Sequence, residues 1–206
     1  MLRIWGRTNS INVQKVMWAV GELDLAHERL DAGGAFGGLD GDAYGRLNPN
    51  RRIPVLEDGE TVVWESNAIV RYLAARYGVG TLWAEDPALR SVADRWMDWQ
   101  VTTLLPPLHP IFWGLVRTPG PERDMAAIDA AAKAIQPLWQ ILDEHLSKSR
   151  FIAGDAFSMG DIPLGCAFWR YANLDVERPS LPNVQLWYAE LKKREAYRRH
   201  VMLPVT

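Results

Sequence analysis

The sequence predicts an α+β fold in which a small domain with a mixed β-sheet is followed by an all-helical domain. Within the first 78 residues, short β-branched and apolar runs alternate with helical patterns, in the order β-α-β and then β-β-α. From Pro87 onward the apolar spacing is helical, and no second set of strands follows. We therefore expect two domains, residues 1–80 and residues 87–206, joined by a short linker.

The β-α-β unit comes first. A strand over residues 2–5 precedes a turn and then a helix whose inner face carries Val13, Val16, Met17, Val20 and Leu23. A second short strand is predicted over residues 27–31. Residues 33–52 show no regular period, and their GGAFGG run does not open a helix after a strand, as a nucleotide-binding fingerprint must. We expect a mobile loop there.

The β-β-α unit occupies residues 51–78, around which the rest of the chain is organised. The apolar run IPVL, the turn EDGE and the β-branched run TVVW predict a hairpin. The apolar period then changes to about 3.6, and Gly78 is placed to end the helix. The two units together suit a four-stranded mixed sheet of the thioredoxin type.

The second domain is predicted to be a helical bundle. Its first helix carries Trp96 and Trp99 and meets a proline cluster that must kink or interrupt it, Pro106, Pro107 and Pro110. A second helix over residues 123–145 is expected to bend at Pro137. Ser158 and Asp161 have the spacing of a capping box at the start of a further helix. Helices over residues 181–193 and 195–200 complete the bundle.

Composition excludes several classes of protein. The chain has 206 residues and a net charge of −2, without blocks of Lys or Arg, which argues against a nucleic-acid or membrane-surface partner. It opens without a signal peptide and contains no apolar stretch of about 18 residues, so we expect a cytoplasmic protein. The single cysteine, Cys166, lies in an apolar run and is expected in the core. The four histidines show no metal-binding spacing.

Two features of residues 51–78 allow alternatives. An X–Pro bond at Pro54 is either an ordinary trans bond at a strand start or a cis bond. Glu65 and Ser66 stand where the strand meets the helix. They are either a solvated charge and an N-cap, or a site for the ammonium and carboxylate of an α-amino acid group.

The order IPVL, turn, VVWESNAIVRYLAARYG resembles the glutathione-binding half of glutathione S-transferases. The resemblance implies that Pro54 is cis and that Glu65 and Ser66 hold the γ-glutamyl end of glutathione. It also implies that the backbone of Ile53 pairs with the cysteinyl residue. Arg51 or Arg52 is the expected cation for the glycyl carboxylate. Glutathione would be the co-substrate, with no metal, in a homodimeric detoxification enzyme.

The turn after the first strand is where thioredoxin-like proteins place their reactive group. Here it contains no cysteine, which removes thiol–disulfide chemistry at this position. Ser10 aligns with the serine of theta-like transferases, which hydrogen-bonds the glutathione sulfur and favours its thiolate. Asn12 is the second candidate. The alternative is that Ser10 or Asn9 only caps the first helix.

The second substrate is expected near the proline cluster, where His109, Phe112 and Trp113 could wall an apolar pocket. Core packing of the two aromatic residues is the alternative. The leading hypothesis is a transferase that directs the glutathione thiolate to a small hydrophobic electrophile. The competing hypotheses are a binding protein without turnover, and a glutathione-dependent isomerase or dehalogenase of the same fold.

Overall fold

The computed structural model describes residues 1–206 and contains one four-stranded sheet. Its strands are β1 (Leu2–Trp5), β2 (His27–Leu30), β3 (Val55–Asp58) and β4 (Thr61–Trp64), in the spatial order β2-β1-β3-β4. β1 pairs in parallel with β2 and antiparallel with β3, and β3 pairs antiparallel with β4. The predicted mixed sheet and the α+β class are therefore confirmed.

Three helices accompany the sheet: α1 (Ile11–Glu22), α2 (Asp42–Leu47) and α3 (Ser66–Tyr77). The inner face of α1 is fully buried at Val13, Val16 and Val20, which the helical period predicted. α1 packs against α3, and both contribute to the core that covers the sheet. This packing fixes the first turn of α1 beside the end of β1.

The prediction of an unstructured loop over residues 33–52 is wrong. The segment contains α2 and a short 3-10 turn, Gly34–Phe36. Only Tyr44 of α2 is buried, so six residues give no repeated apolar period to detect. The Tyr44 hydroxyl donates to the carbonyl of Arg52 at 2.9 Å and ties this helix to the segment that leads into β3.

β3 begins two residues later than predicted. The Ile53–Pro54 bond is cis, as the resemblance implied, and the trans alternative is wrong. Pairing with β1 starts at Val55, opposite Trp5. Ile53 and Pro54 thus precede the strand instead of belonging to it.

Six helices follow, and they form the predicted bundle. They are α4 (Pro87–Trp99), α5 (Leu105–Phe112), α6 (Met125–Leu146), α7 (Asp161–Ala172), α8 (Pro182–Lys193) and α9 (Glu195–His200). All of them fall short of the combined length and apolar character that crossing a bilayer requires.

The proline cluster interrupts regular helical bonding on both sides of α5. π-Helical turns flank that helix at Gln100–Leu104 and Trp113–Arg117. Pro106, Pro107 and Pro110 have no N–H to offer the carbonyls four residues earlier, so the α-helical ladder cannot run through them unbroken. By contrast, α6 continues as one helix through Pro137.

The capping box is present, with one difference in position. α7 begins at Asp161 itself, so Ser158 lies before the N-cap residue Gly160 and not at the N-cap. The buried Asp161 carboxylate nevertheless accepts from the N–H of Ser158 at 2.9 Å, from its hydroxyl at 3.2 Å and from Trp187 Nε1 at 2.8 Å. Cys166 on α7 is fully buried, as predicted.

α1 also contacts the bundle, where it packs against α7 and α9. The Trp18 ring lies 4.5 Å from the Tyr197 ring and 5.3 Å from the Phe157 ring, measured between centroids. A single cluster of buried apolar side chains runs from the sheet through α1 into the bundle. α1 is therefore held from both sides.

Candidate active site

A cleft of about 410 Å³ lies between the turn after β1, the segment before β3, and α5 with the π-turn that follows it. It is lined by 15 residues. They include eight of the predicted site residues: Ser10, Asn12, Arg51, Arg52, Ile53, His109, Phe112 and Trp113. Sequence positions from both predicted domains thus meet at one place.

Ser10 occupies the N-cap position of α1. Its hydroxyl makes no capping hydrogen bond, although serine at this position usually makes one. The hydroxyl is therefore free to donate to a group in the cleft. The first N–H groups of α1 lie beside it, and the positive end of the helix dipole favours an anion there.

Asn12 lies on the same cleft wall but is partly engaged. Its Oδ1 accepts from the Ser66 hydroxyl at 3.2 Å. Ser66 is buried and opens α3, so this bond joins the starts of α1 and α3. The Asn12 side chain thus has a hydrogen-bond partner within the chain, whereas the Ser10 hydroxyl has none.

Glu65 precedes α3 with φ +69°, a left-handed conformation that is uncommon outside glycine. Its side chain is exposed and makes no capping bond. Such conformations cost about 1–3 kcal/mol and cluster at ligand sites. The conformation holds a free carboxylate next to the unpaired N–H groups at the start of α3. The sequence predicted this combination of an acidic side chain and N–H donors as a site for an α-amino acid group.

Ile53 offers its backbone to the cleft. Neither its N–H nor its carbonyl forms a hydrogen bond within the chain. The residue is half-buried and lines the cleft immediately before the cis bond to Pro54. An extended ligand backbone can pair with these free groups, as the resemblance implied.

The two candidate arginines differ in their contacts. Arg51 has φ +52°, and its Nη1 donates to the carbonyls of Leu39 and Gly41 at 3.1 and 3.0 Å. The Arg52 side chain is exposed and has no ion-pair or hydrogen-bond partner, while its carbonyl is fixed by Tyr44. Arg52 is therefore the freer cation, and Arg51 is mainly engaged in holding the loop before α2.

Aromatic side chains form the opposite wall. Phe112 is packed in the core, and it also lines the cleft. Trp113 is about half exposed, and core packing is wrong for it. The His109 ring lies 5.6 Å from the Trp113 ring. The residue is largely exposed, and the partial desolvation of its ring, together with the charge of Arg170, lowers the pKa of His109.

Three further arginines line the cleft that sequence reasoning missed: Arg7, Arg117 and Arg170. They come from the turn after β1, the end of the second π-turn and α7. Burial lowers the pKa of Arg170 to about 10. No spacing in the sequence links these positions, so only the fold reveals that they converge.

Comparison with known proteins decides the family. The family model described as "Glutathione S-transferase, N-terminal domain" matches residues 1–75, and that for the C-terminal domain matches residues 125–190. Glutathione S-transferase GstB of Escherichia coli strain K12 is 45% identical over 209 aligned positions, covering 100% of both chains. The chain belongs to the glutathione S-transferase family.

Solved structures agree with this assignment. The theta class glutathione S-transferase of Xanthomonas axonopodis pv. citri, with glutathione bound, superposes with a TM-score of 0.96 at 47% identity, covering 100% of this chain and 99% of that one. Its apo form gives a TM-score of 0.87 at 42% identity, with coverage of 100% and 98%. The resemblance inferred from residues 51–78 is confirmed for the whole chain.

Neither the single cysteine of this transferase nor a cluster of metal ligands contributes to the chemistry of the cleft. Burial raises the pKa of the Cys166 thiol to about 12, so this cysteine is not a nucleophile at neutral pH. No group of three or more His, Cys, Asp or Glu side chains is arranged to hold a metal ion.

Proposed function

We propose that this glutathione transferase activates glutathione through the Ser10 hydroxyl and directs its thiolate to a small electrophile held against Phe112 and Trp113. The observation that carries the proposal is the free Ser10 hydroxyl at the start of α1, inside the cleft and unused by the helix it precedes. A hydroxyl donor and a helix N-terminus both favour a thiolate over a thiol. Asn12 is retained as the second candidate donor.

Glutathione is the co-substrate in this proposal, and it lies in an extended conformation along one wall. Glu65 and the helix start at Ser66 receive the ammonium and carboxylate of the γ-glutamyl end. The free backbone groups of Ile53, before cis Pro54, pair with the cysteinyl residue. Arg52, with Arg51 behind it, receives the glycyl carboxylate.

In this arrangement, residues 1–80 form the glutathione-binding domain and residues 87–206 supply the electrophile wall. The electrophile has an apolar body, because the half-exposed Trp113 and the buried Phe112 are the aromatic side chains of the cleft that receive it. His109 stands at the rim of this pocket.

We also take the protein to be cytoplasmic and to act as a homodimer in detoxification. Support for a second copy as partner comes from the edge strand β4, which leaves the apolar side chains of Val62 and Trp64 exposed. Sedimentation of the purified chain should give twice the mass of one chain, and a single-chain mass would contradict the dimer.

Two measurements on one preparation test the function. Calorimetry should show one glutathione site per chain, and conjugation of glutathione to a benzylic chloride should exceed the uncatalysed rate. Glutathione binding without any rate above background would make a binding protein the better description. Absence of both would contradict the proposed site.

A further inference from the structure

The charge of the cleft differs from that of the chain. The chain carries 23 Lys and Arg against 25 Asp and Glu. The cleft is lined by five arginines and one histidine, with no aspartate or glutamate. A continuous second recess beside it shares Arg7, Trp113 and Arg117 and is also without acidic residues. The positive charge is therefore concentrated at this one place.

Besides Arg52, three of these arginines have no counter-charge. No carboxylate lies within 4.0 Å of the guanidinium groups of Arg7, Arg117 or Arg170, whereas Arg71 and Arg194 elsewhere in the chain are paired with Asp94 and Glu22. The polar contact of Arg170 is with the carbonyl of Asn9, at 3.3 Å. Arg7 and Arg170 are partly buried, where an unpaired charge is costly, and Arg117 lies exposed beside them. This concentration of unpaired charge indicates that a ligand supplies the missing anion.

The aromatic wall orders two of these charges. The guanidinium carbon of Arg170 lies 4.0 Å from the centre of the Phe112 ring, and that of Arg117 lies 5.6 Å from the same ring. Stacking of this kind holds a guanidinium in place while leaving its N–H edge free for a carboxylate. Arg117 itself is exposed and lines both recesses.

The charged ends of glutathione have receptors elsewhere in the proposed site, at Glu65 and Ser66 and at Arg52. We propose that the second substrate carries a carboxylate or a similar anionic group, which Arg117 and Arg7 bind while its apolar body lies on Trp113. This inference rests on the proposed function and names the class of electrophile that the cleft selects.

The reaction is a displacement at a carbon that carries a leaving group. The thiol proton is released to solvent when glutathione becomes the thiolate. The sulfur lone pair then forms the C–S bond as the carbon–halogen bond breaks, and the halide leaves with that electron pair. No oxidant or further reactant is required.

A matched pair of substrates tests the inference. 4-(Chloromethyl)benzoate is anionic, and 4-(chloromethyl)benzamide is neutral and nearly the same in shape. For each, kcat/KM is divided by the uncatalysed rate constant with glutathione at the same pH. We expect a preference for the benzoate of about tenfold or more, since a hydrogen bond to a charged group changes affinity by about ten- to hundredfold. Arg117→Gln should reduce this preference at least about fivefold.

Arg95→Gln is the control, because Arg95 is exposed on α4, away from the cleft, and forms no ion pair. It should leave the preference unchanged. Equal corrected rates for the two chlorides in the wild-type protein, or an equal loss for both in Arg117→Gln, would overturn the inference.

Binding of the two conjugates decides the question independently of catalysis. S-(4-carboxybenzyl)glutathione should bind about tenfold or more tightly than S-(4-carbamoylbenzyl)glutathione in calorimetry, and Arg117→Gln should remove most of the difference. Equal affinities would refute the anionic substrate. If neither chloride reacts above background, the proposed function fails, while this comparison still tests the arginine site.

Discussion

Removal of the Ser10 hydroxyl should raise the pKa of the bound glutathione thiol while leaving glutathione affinity nearly unchanged. The hydroxyl is free within the chain, so Ser10→Ala leaves no internal partner unsatisfied and should fold normally. A hydrogen bond to a charged group contributes about 1.5–3 kcal/mol, which corresponds to about 1–2 pKa units. The N–H groups at the start of α1 stay in place and retain the smaller contribution of the helix dipole.

The effect on rate follows from two opposing terms. A rise in the thiol pKa from about 6.5 to about 8.5 lowers the thiolate fraction at pH 6.5 about 50-fold. The more basic thiolate is about eightfold more nucleophilic, for a Brønsted slope of about 0.4–0.5. The net loss at pH 6.5 is thus about sixfold. It should disappear at about pH 7.6, where the two terms cancel, and above about pH 9, where both proteins hold the thiolate, the variant should be about six- to eightfold faster.

The assay is a titration of the absorbance at about 240 nm, where the thiolate absorbs and the thiol does not. Kinetics at saturating glutathione over the same pH range accompany it. Thr8→Ala is the matched control, because it removes a hydroxyl from the same turn at an exposed position. Asn12→Ala tests the rival donor. If Ser10→Ala leaves the titration unmoved and Asn12→Ala shifts it, the assignment of Ser10 is refuted.

Three further predictions concern binding and stability. Glu65→Ala should raise the dissociation constant of glutathione at least about tenfold in calorimetry, because it removes the partner of the ligand's ammonium group. Glu60→Ala, at an exposed position in the neighbouring turn, is the control and should leave the dissociation constant unchanged. Equal effects of the two substitutions would contradict the site. Ser158→Ala should lower the free energy of unfolding by about 1 kcal/mol in urea, through the lost contact with Asp161, and an unchanged midpoint would contradict that role. Burial lowers the pKa of Lys15 from 10.5 to about 8, so folding disfavours its charged form. Wild-type stability relative to Lys15→Met should therefore rise by about 3 kcal/mol as pH increases from 7 to 10.5, and a difference independent of pH would refute this.

The elements that sequence predicted best are those with a long apolar period or a repeated β-branched pattern. α1, α3 and the hairpin of β3 and β4 had such patterns, and each lies within a few residues of its predicted place. α2 could not be predicted because only Tyr44 of its six residues is buried. The start of β3 was misplaced because Ile53 and Pro54 are apolar, like the strand that follows them.

The candidate site was predictable where it lies within one continuous motif. Glu65 and Ser66 stand at a strand-to-helix junction that the sequence itself marks. The free state of the Ser10 hydroxyl was not predictable, because a serine before a helix has the same sequence pattern whether or not it caps. The cluster of Arg7, Arg117 and Arg170 joins three distant segments, so it could not be recognised before the fold was known.

The position of α1 between the sheet and the bundle bears on how such an enzyme can acquire new substrates. Twelve residues of helix, about 18 Å long, connect the first turn at the cleft to the packing of Trp18 against α9. In the proposed site, a substitution on the buried face of α1 therefore affects the surroundings of the thiol and the stability of the chain together. The π-turn Trp113–Arg117 carries no buried residue. With the two walls assigned as proposed, the wall for the electrophile is thus the part of the cleft that can change most freely, and the wall for glutathione is constrained by the fold.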